Sequence, residues 1–294
     1  NVSFAEYARR HWGEEILEYA IQPIASTLTL AEPEDISAAY GLALAWYFLP
    51  GLSTTTRGIG HLAESLAGKV KDIRLETEVT RIVMEGSKVK GVEIKDGGGT
   101  AFIEADSVIC GSLAPEAAAL LTDLPRGILE TLEGIKYSAC THVMLATRGK
   151  VIDDMYAIAT PRREGLCMSG FTDNANKAAS YAPRDTSLVH VFTFGNHARE
   201  MLDWDDDRIR EHVTREIQMV VPRFPDDVIF CEIFRWPQAV CLSNPGQITA
   251  VQKLKVAMRE YPGLHLSGEY FGMPSVEAAL TSGVNAANRV LQGL

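Results

Sequence analysis

Hydrophobic positions in this chain recur first at helical spacing, then in strict alternation, and then as a mixture of the two. Ser3-Phe-Ala-Glu6 forms a capping box ahead of the first apolar-periodic segment, with the Ser3 hydroxyl placed to accept from the Glu6 N–H. The pattern predicts a helix to about Tyr19, a break at Gln22-Pro23, and a second helix from the acidic Pro33-Glu-Asp-Ile-Ser37. From Asp72 the period shortens to two. Strands are predicted over Ile73 to Leu75, Val79 to Met84, Val89 to Ile94, Thr100 to Glu104 and Ser107 to Cys110, with hairpin turns at Glu85-Gly-Ser-Lys88 and Asp96-Gly-Gly-Gly99. A helix follows from Ala114-Pro-Glu116.

A second mixed region runs from Ser138 to Trp236. Its predicted strands are Cys140 to Ala146, Met155 to Ala159, Leu166 to Phe171, Leu188 to Phe194 and Val228 to Phe234, and its helix covers Asp205 to Met219. Beyond a helix over Ile248 to Glu260 comes the stretch around which the chain is organised: strand Leu264 to Leu266, turn Ser267-Gly268-Glu269, and a helix beginning near Ser275. Val276, Ala279, Leu280, Gly283, Ala287 and Val290 recur at helical spacing, and most are small. That face is therefore expected to lie close to a sheet or a flat ligand.

Composition narrows the class of protein. With 46% hydrophobic residues in 294, the chain can build a sizeable core as one large domain or two ordinary ones. A net charge of −10 argues against broad nucleic-acid or anionic-membrane binding, which needs basic patches. Five scattered cysteines, odd in number and without a C-x-x-C pair, indicate neither a disulfide framework nor a zinc site and fit a reducing, cytoplasmic setting.

The longest apolar run, Gly41 to Leu52 (GLALAWYFLPGL), is shorter than the roughly 18 residues a spanning helix needs. It reads as a buried helix end before a Pro-Gly turn, or as a cavity wall or shallow peripheral membrane contact. Asp203, Asp205, Asp206 and Asp207 read as a solvated helix cap, because the glycine and terminal glutamate of a calcium loop are missing. The seven histidines show no H-x-x-x-H spacing and are assigned ordinary core or surface roles. The chain contains no G-x-G-x-x-G fingerprint. Gly58-Ile-Gly60 is either a close-approach turn for a ligand or a plain helix start.

Three segments, taken in order, carry a more specific message: Gly58-x-Gly60 before a helix, Arg74-Leu-Glu-Thr-Glu-Val79-Thr-Arg-Ile, and Leu266-Ser-Gly-Glu-Tyr with Pro-Ser-Val-Glu-Ala-Ala following. Together they resemble the flavin-dependent superfamily of protoporphyrinogen oxidases, carotenoid desaturases and flavin amine oxidases. The resemblance covers essentially the whole chain and lacks the superfamily's N-terminal FAD fingerprint.

It implies an α/β fold with α+β character, an FAD/NAD(P)-binding-type domain without its first βαβ unit beside a mixed-sheet substrate domain with helices. Residues 53–112 and 246–294 would be flavin-domain segments, and 1–52 with 113–245 the substrate domain. It further implies that the Val79 backbone holds the adenine edge and that Gly58 and Gly60 lie near the flavin ring. Glu269 would accept from a flavin-chain hydroxyl, Gly268 would permit the approach, and the Val276 amide would donate to the flavin C2 carbonyl.

The activity implied is dehydrogenation of a bulky apolar small molecule by hydride transfer to flavin N5, with Trp236, beside Pro237, either a core indole or a cavity residue. No catalytic side chain is singled out. Two alternatives stand beside this: a flavin amine oxidase, or a non-catalytic remnant that binds a ligand or partner without FAD. Against the amine reading, the strand from Ser138 to Leu145 holds no lysine, with Thr141 or a neighbour in its place, and Ser275 stands where an aromatic would be expected. Residues 1–294 by themselves are expected to hold FAD weakly or not at all, because the pyrophosphate cradle is missing.

Overall fold

The computed structural model describes residues 1–44, 53–226 and 228–293. Most of the apolar run predicted as a buried helix end or cavity wall, from residue 45 to 52, lies outside the described residues.

The main helices in chain order are α1 (Phe4–Trp12), α2 (Gln22–Thr29), α3 (Ala38–Leu44), α4 (Gly60–Ala67), α5 (Ala114–Leu120), α6 (Arg126–Glu133), α7 (Asp206–Val220), α8 (Gln247–Ala257) and α9 (Val276–Gln292). The strands are β1 (Glu78–Glu85), β2 (Lys88–Asp96), β3 (Gly99–Glu104), β4 (Val108–Cys110), β5 (Cys140–Arg148), β6 (Ala157–Ala159), β7 (Met168–Asp173), β8 (Thr186–Thr193), β9 (Phe230–Trp236) and β10 (Leu264–Leu266). They divide between two compact units, each assembled from two stretches of chain: Asn1–Lys71 with Tyr137–Val240, and Asp72–Lys136 with Cys241–Leu294. These contact boundaries set 53–71 with the first unit and 113–136 with the second, whereas the sequence reading grouped them the other way.

The first unit is built on an antiparallel five-stranded sheet of order β6-β7-β8-β5-β9. Alternation decides its two faces. Val143, Leu145, Val189, Val191, Met168 and Phe171 are buried together with Ile209, Val213 and Ile217 of α7. Each such side chain contributes about 1.5–3 kcal/mol by leaving water. Asp205 caps α7, its carboxylate accepting from the Arg208 N–H at 2.8 Å, so the aspartate cluster is a helix start as the sequence indicated. The Ser3 cap is present too, at 3.1 Å to the Glu6 N–H.

The expected break at Gln22-Pro23 does not occur. Leu17–Ile21 forms a π-turn, and Pro23 then sits in the first turn of α2, where a missing N–H costs nothing. Arg162, in the turn after β6, holds the neighbouring segments. Its guanidinium reaches Glu18 (2.5 Å), Glu32 (3.1 Å) and Glu34 (3.0 Å), and its N–H donates to Gln22 Oε1 at 2.8 Å.

The second unit contains the antiparallel meander β1-β2-β3 and a parallel pair, β10 with β4. Both predicted hairpin turns are present. Ile73 to Leu75 is not a strand; these residues are irregular, and Leu75 is 81% exposed. Alternation over three residues gave the correct period, yet no neighbouring strand pairs with it among the described residues.

Candidate functional site

The end of β10 runs through Ser267 and Gly268 into a short turn over Glu269–Phe271, and α9 starts just beyond. The Gly268 N–H donates to Ser282 Oγ of α9 at 3.0 Å, which ties the turn to the helix. A Cβ at Gly268 would lie 2.3 Å from the Tyr270 ring, so packing requires glycine here. The Glu269 carboxylate is half-buried and has no hydrogen-bond or ion-pair partner among the described residues. At the start of α9, Ser275 Oγ accepts from the Ala278 N–H at 3.1 Å. The Val276 and Glu277 N–H groups stay outside that cap, and in a first helical turn they have no intrahelical acceptor.

The helix face predicted to pack is corrected by the structure. Ser282 and Ala286 are the buried residues of α9, whereas Val276 (53% exposed), Leu280 and Val284 form an apolar stripe facing solvent. Small residues recur at four-residue spacing on both sides of this helix, and the serine's bond to Gly268 selects which side is covered.

Gly268, Glu269 and Val276 thus come together. Val79 lies apart from them at the start of β1, 37% exposed. Gly58 and Gly60 belong to the first unit, in a loop whose Thr54 hydroxyl meets Tyr181 at 2.6 Å and whose Thr56 carbonyl accepts from Ser180 at 2.8 Å. Gly58 has φ +86° with open space where a side chain would be, so the turn is glycine-dependent in its backbone.

In the first unit the second face of the five-stranded sheet carries a partly exposed aromatic group among the described residues. His142 stacks on Phe192 (centroids 4.7 Å apart) and on Phe234 (5.6 Å). His142 Nε2 lies 3.0 Å from His190 Nδ1. Trp236, at 50% exposure, continues the same side of β9, where it pairs with Cys140. Burial holds the His142 ring below the ordinary imidazole range and pushes His190 down to about 4, with His142 and Lys177 adding to the effect. Both rings are therefore neutral at pH 7. Thr141 is fully buried, with its backbone N–H donating to Thr193 Oγ1, so the residue at the position of interest in β5 is packed in the core.

Spacing alone did not reveal the pairing of His142 with His190. His142 and His190 meet only through strand register, and the sole local hint was their placement at alternate positions between apolar neighbours.

This chain belongs to the family of flavin containing amine oxidoreductases, whose sequence pattern matches residues 2–291. Coproporphyrinogen III oxidase of Bacillus subtilis (strain 168) is 21% identical over 322 residues, covering 98% of this chain and 67% of the relative. Among solved structures, the Exiguobacterium sp. 255-15 protein assigned as a protoporphyrinogen oxidase superposes with a TM-score of 0.77 at 19% identity, over 99% of this chain and 67% of that one. Cyclohexylamine oxidase from Brevibacterium oxydans IH-35A gives a TM-score of 0.72 at 15% identity, over 99% and 68%. The fold is the mixed α/β fold of FAD-dependent oxidoreductases. No helix among the described residues is long and apolar enough to cross a membrane.

The family implies FAD, and the end of β10 suits part of it. An unpartnered carboxylate, a backbone stretch without a Cβ, and two first-turn N–H groups match a hydroxylated chain and the polar edge of a flavin ring.

Proposed function

We propose that this chain is part of an FAD-dependent oxidoreductase that dehydrogenates a bulky, largely apolar small molecule of the porphyrinogen type. The observation that carries this reading is the partly exposed aromatic face of the five-stranded sheet. His142, Phe192, Phe234 and Trp236 present a flat, weakly polar wall, and both histidines beside it are neutral. Such a wall suits a large planar or near-planar ring system; Glu232 is on the same side of β9, and β5 offers no lysine.

When bound, FAD supplies a two-electron acceptor for hydride, and the chain's own residues orient and shield. Glu269 would accept from a hydroxyl of the cofactor, Gly268 would let it approach, and the Val276 N–H would donate to its pyrimidine edge, where a helix N-terminus favours negative charge. Val79, Gly58 and Gly60 are assigned supporting contacts on the strength of the family resemblance. Trp236 and Phe234 hold the substrate and exclude water.

The test is made on the full-length protein. It should purify with flavin absorbance, or gain it on adding FAD, and should convert coproporphyrinogen III to a fluorescent porphyrin with uptake of oxygen or a quinone. A colourless protein that stays colourless with added FAD would end this reading. Peroxide release from amines without porphyrin formation would transfer it to amine oxidation.

A further inference from the structure

On the covered side of the same sheet, three potential metal ligands converge that the flavin chemistry does not use. Cys167 precedes β7, and His212 and Glu216 stand one turn apart on α7. One ligand atom from each lies within 4.8 Å of the others. Sγ of Cys167 is 3.1 Å from Glu216 Oε2, and His212 Nε2 is 3.2 Å from Glu216 Oε1.

The carboxylate is already oriented. Oε1 accepts from the Cys167 backbone N–H at 2.8 Å and Oε2 from that of Met168 at 3.2 Å, which leaves the remaining lone pairs facing the thiol and the imidazole. His212 is oriented as well, edge-on to Trp204 at 5.3 Å.

We propose that Cys167, His212 and Glu216 form a binding site for one borderline-soft divalent cation, zinc by its ligand set, with water as the fourth ligand on the His212 side. Thiolate, imidazole and carboxylate are a zinc combination, and one thiolate with one carboxylate neutralises a dication in a place where uncompensated charge is costly. Cys167 and Glu216 are buried while the His212 side chain is 33% exposed, so the entry path lies past the ring.

The two protons now directed at Glu216, on sulfur and on Nε2, mark where the metal would bond. Binding releases the thiol proton to solvent, and the imidazole proton shifts to Nδ1, so that Sγ, Nε2 and one carboxylate oxygen each give a lone pair. No electron changes hands. The bound ion would fasten α7 to the start of β7.

The purified protein, freed of metal with a chelator, is titrated with Co²⁺ and then with Zn²⁺. A thiolate-to-cobalt band in the near ultraviolet that saturates at one equivalent and is erased by Zn²⁺ is expected. Cys167→Ser should abolish the band. His212→Gln, which keeps the Cys167 and backbone bonds to Glu216 and so keeps the fold, should weaken Zn²⁺ at least tenfold against a chromophoric chelator while leaving the circular dichroism unchanged. The proposal is overturned if no band forms in the unsubstituted protein, if the band survives Cys167→Ser, or if His212→Gln binds Zn²⁺ as tightly as before. In each of those cases the triad is a hydrogen-bonded pin and no more. The flavin reading does not depend on any of these results.

Discussion

His142 and His190, on the neighbouring strands β5 and β8, are joined ring to ring, with Nε2 of the first 3.0 Å from Nδ1 of the second. Only one of the two nitrogens can carry the shared proton, so the pair is a neutral donor–acceptor couple. A second charge there would meet burial, the partner ring and Lys177.

That relationship sets a pH dependence. The folded His190 titrates at about 4 against an ordinary 6.5, so the unfolded chain takes up the proton first as pH falls. The contribution to stability is whole above about 6.5, declines between there and 4, and is constant below. Urea midpoints measured across that range should fall less steeply for His190→Gln than for the unsubstituted protein. Parallel slopes would show that the ring is not held neutral.

Arg162 gives a second expectation. Its hydrogen bond with Glu18 is the main reason that carboxyl is held below the usual range, and Glu18 is only 6% exposed. Arg162→Met should cost stability at the lower end of about 3–5 kcal/mol, because half-exposed Arg163 still reaches Glu18 at 3.3 Å. The difference should shrink as pH falls below the ordinary carboxylate value of 4.5, because the unfolded chain then takes up the proton that Arg162 holds off in the fold. Denaturant unfolding at two pH values measures both.

Cofactor retention is the third. In the full-length protein, Glu269→Ala should lower FAD affinity about tenfold or more, as expected for the loss of a charged hydrogen-bond acceptor, with little change in fold because its carboxylate has no protein partner. Residues 1–294 alone should show weak FAD binding or none by fluorescence quenching, and tight binding would show that the pyrophosphate contacts are dispensable.

For the substrate wall, Trp236→Ala and Phe234→Ala in the full-length enzyme should raise KM for an apolar ring substrate several-fold while leaving flavin content unchanged, since both rings stand half-exposed on the sheet and brace little of the core. Steady-state kinetics with coproporphyrinogen III decide it. An unchanged KM would remove this face from the binding site.

Much of this was legible from local pattern. The meander follows from alternation broken at Glu85-Gly-Ser-Lys88 and at Asp96-Gly-Gly-Gly99, and the α7 cap follows from Asp205. Long-range pairing was not legible. Ile73 to Leu75 has a strand's period without a strand's neighbour, and α9 offers small residues on both sides until Ser282 binds Gly268. Pro23 misled for a different reason, since a preceding π-turn makes room for it inside a nearly continuous helical stretch. The strand, turn and helix from Leu264 to Val276 were evident from their residues, whereas the meeting of Cys167 with Glu216 depends on how α7 lies on the sheet.

The parallel pairing of β4 with β10 joins segments that the chain separates by the whole of the five-stranded sheet. As the polypeptide leaves the ribosome, the β1–β3 hairpins can close within moments of being made, but β4 has to wait with an open edge until β10 emerges. The β4–β10 pair therefore closes only after the strands of the five-stranded sheet have been made, and a chain stalled before Leu264 would expose an unpaired strand.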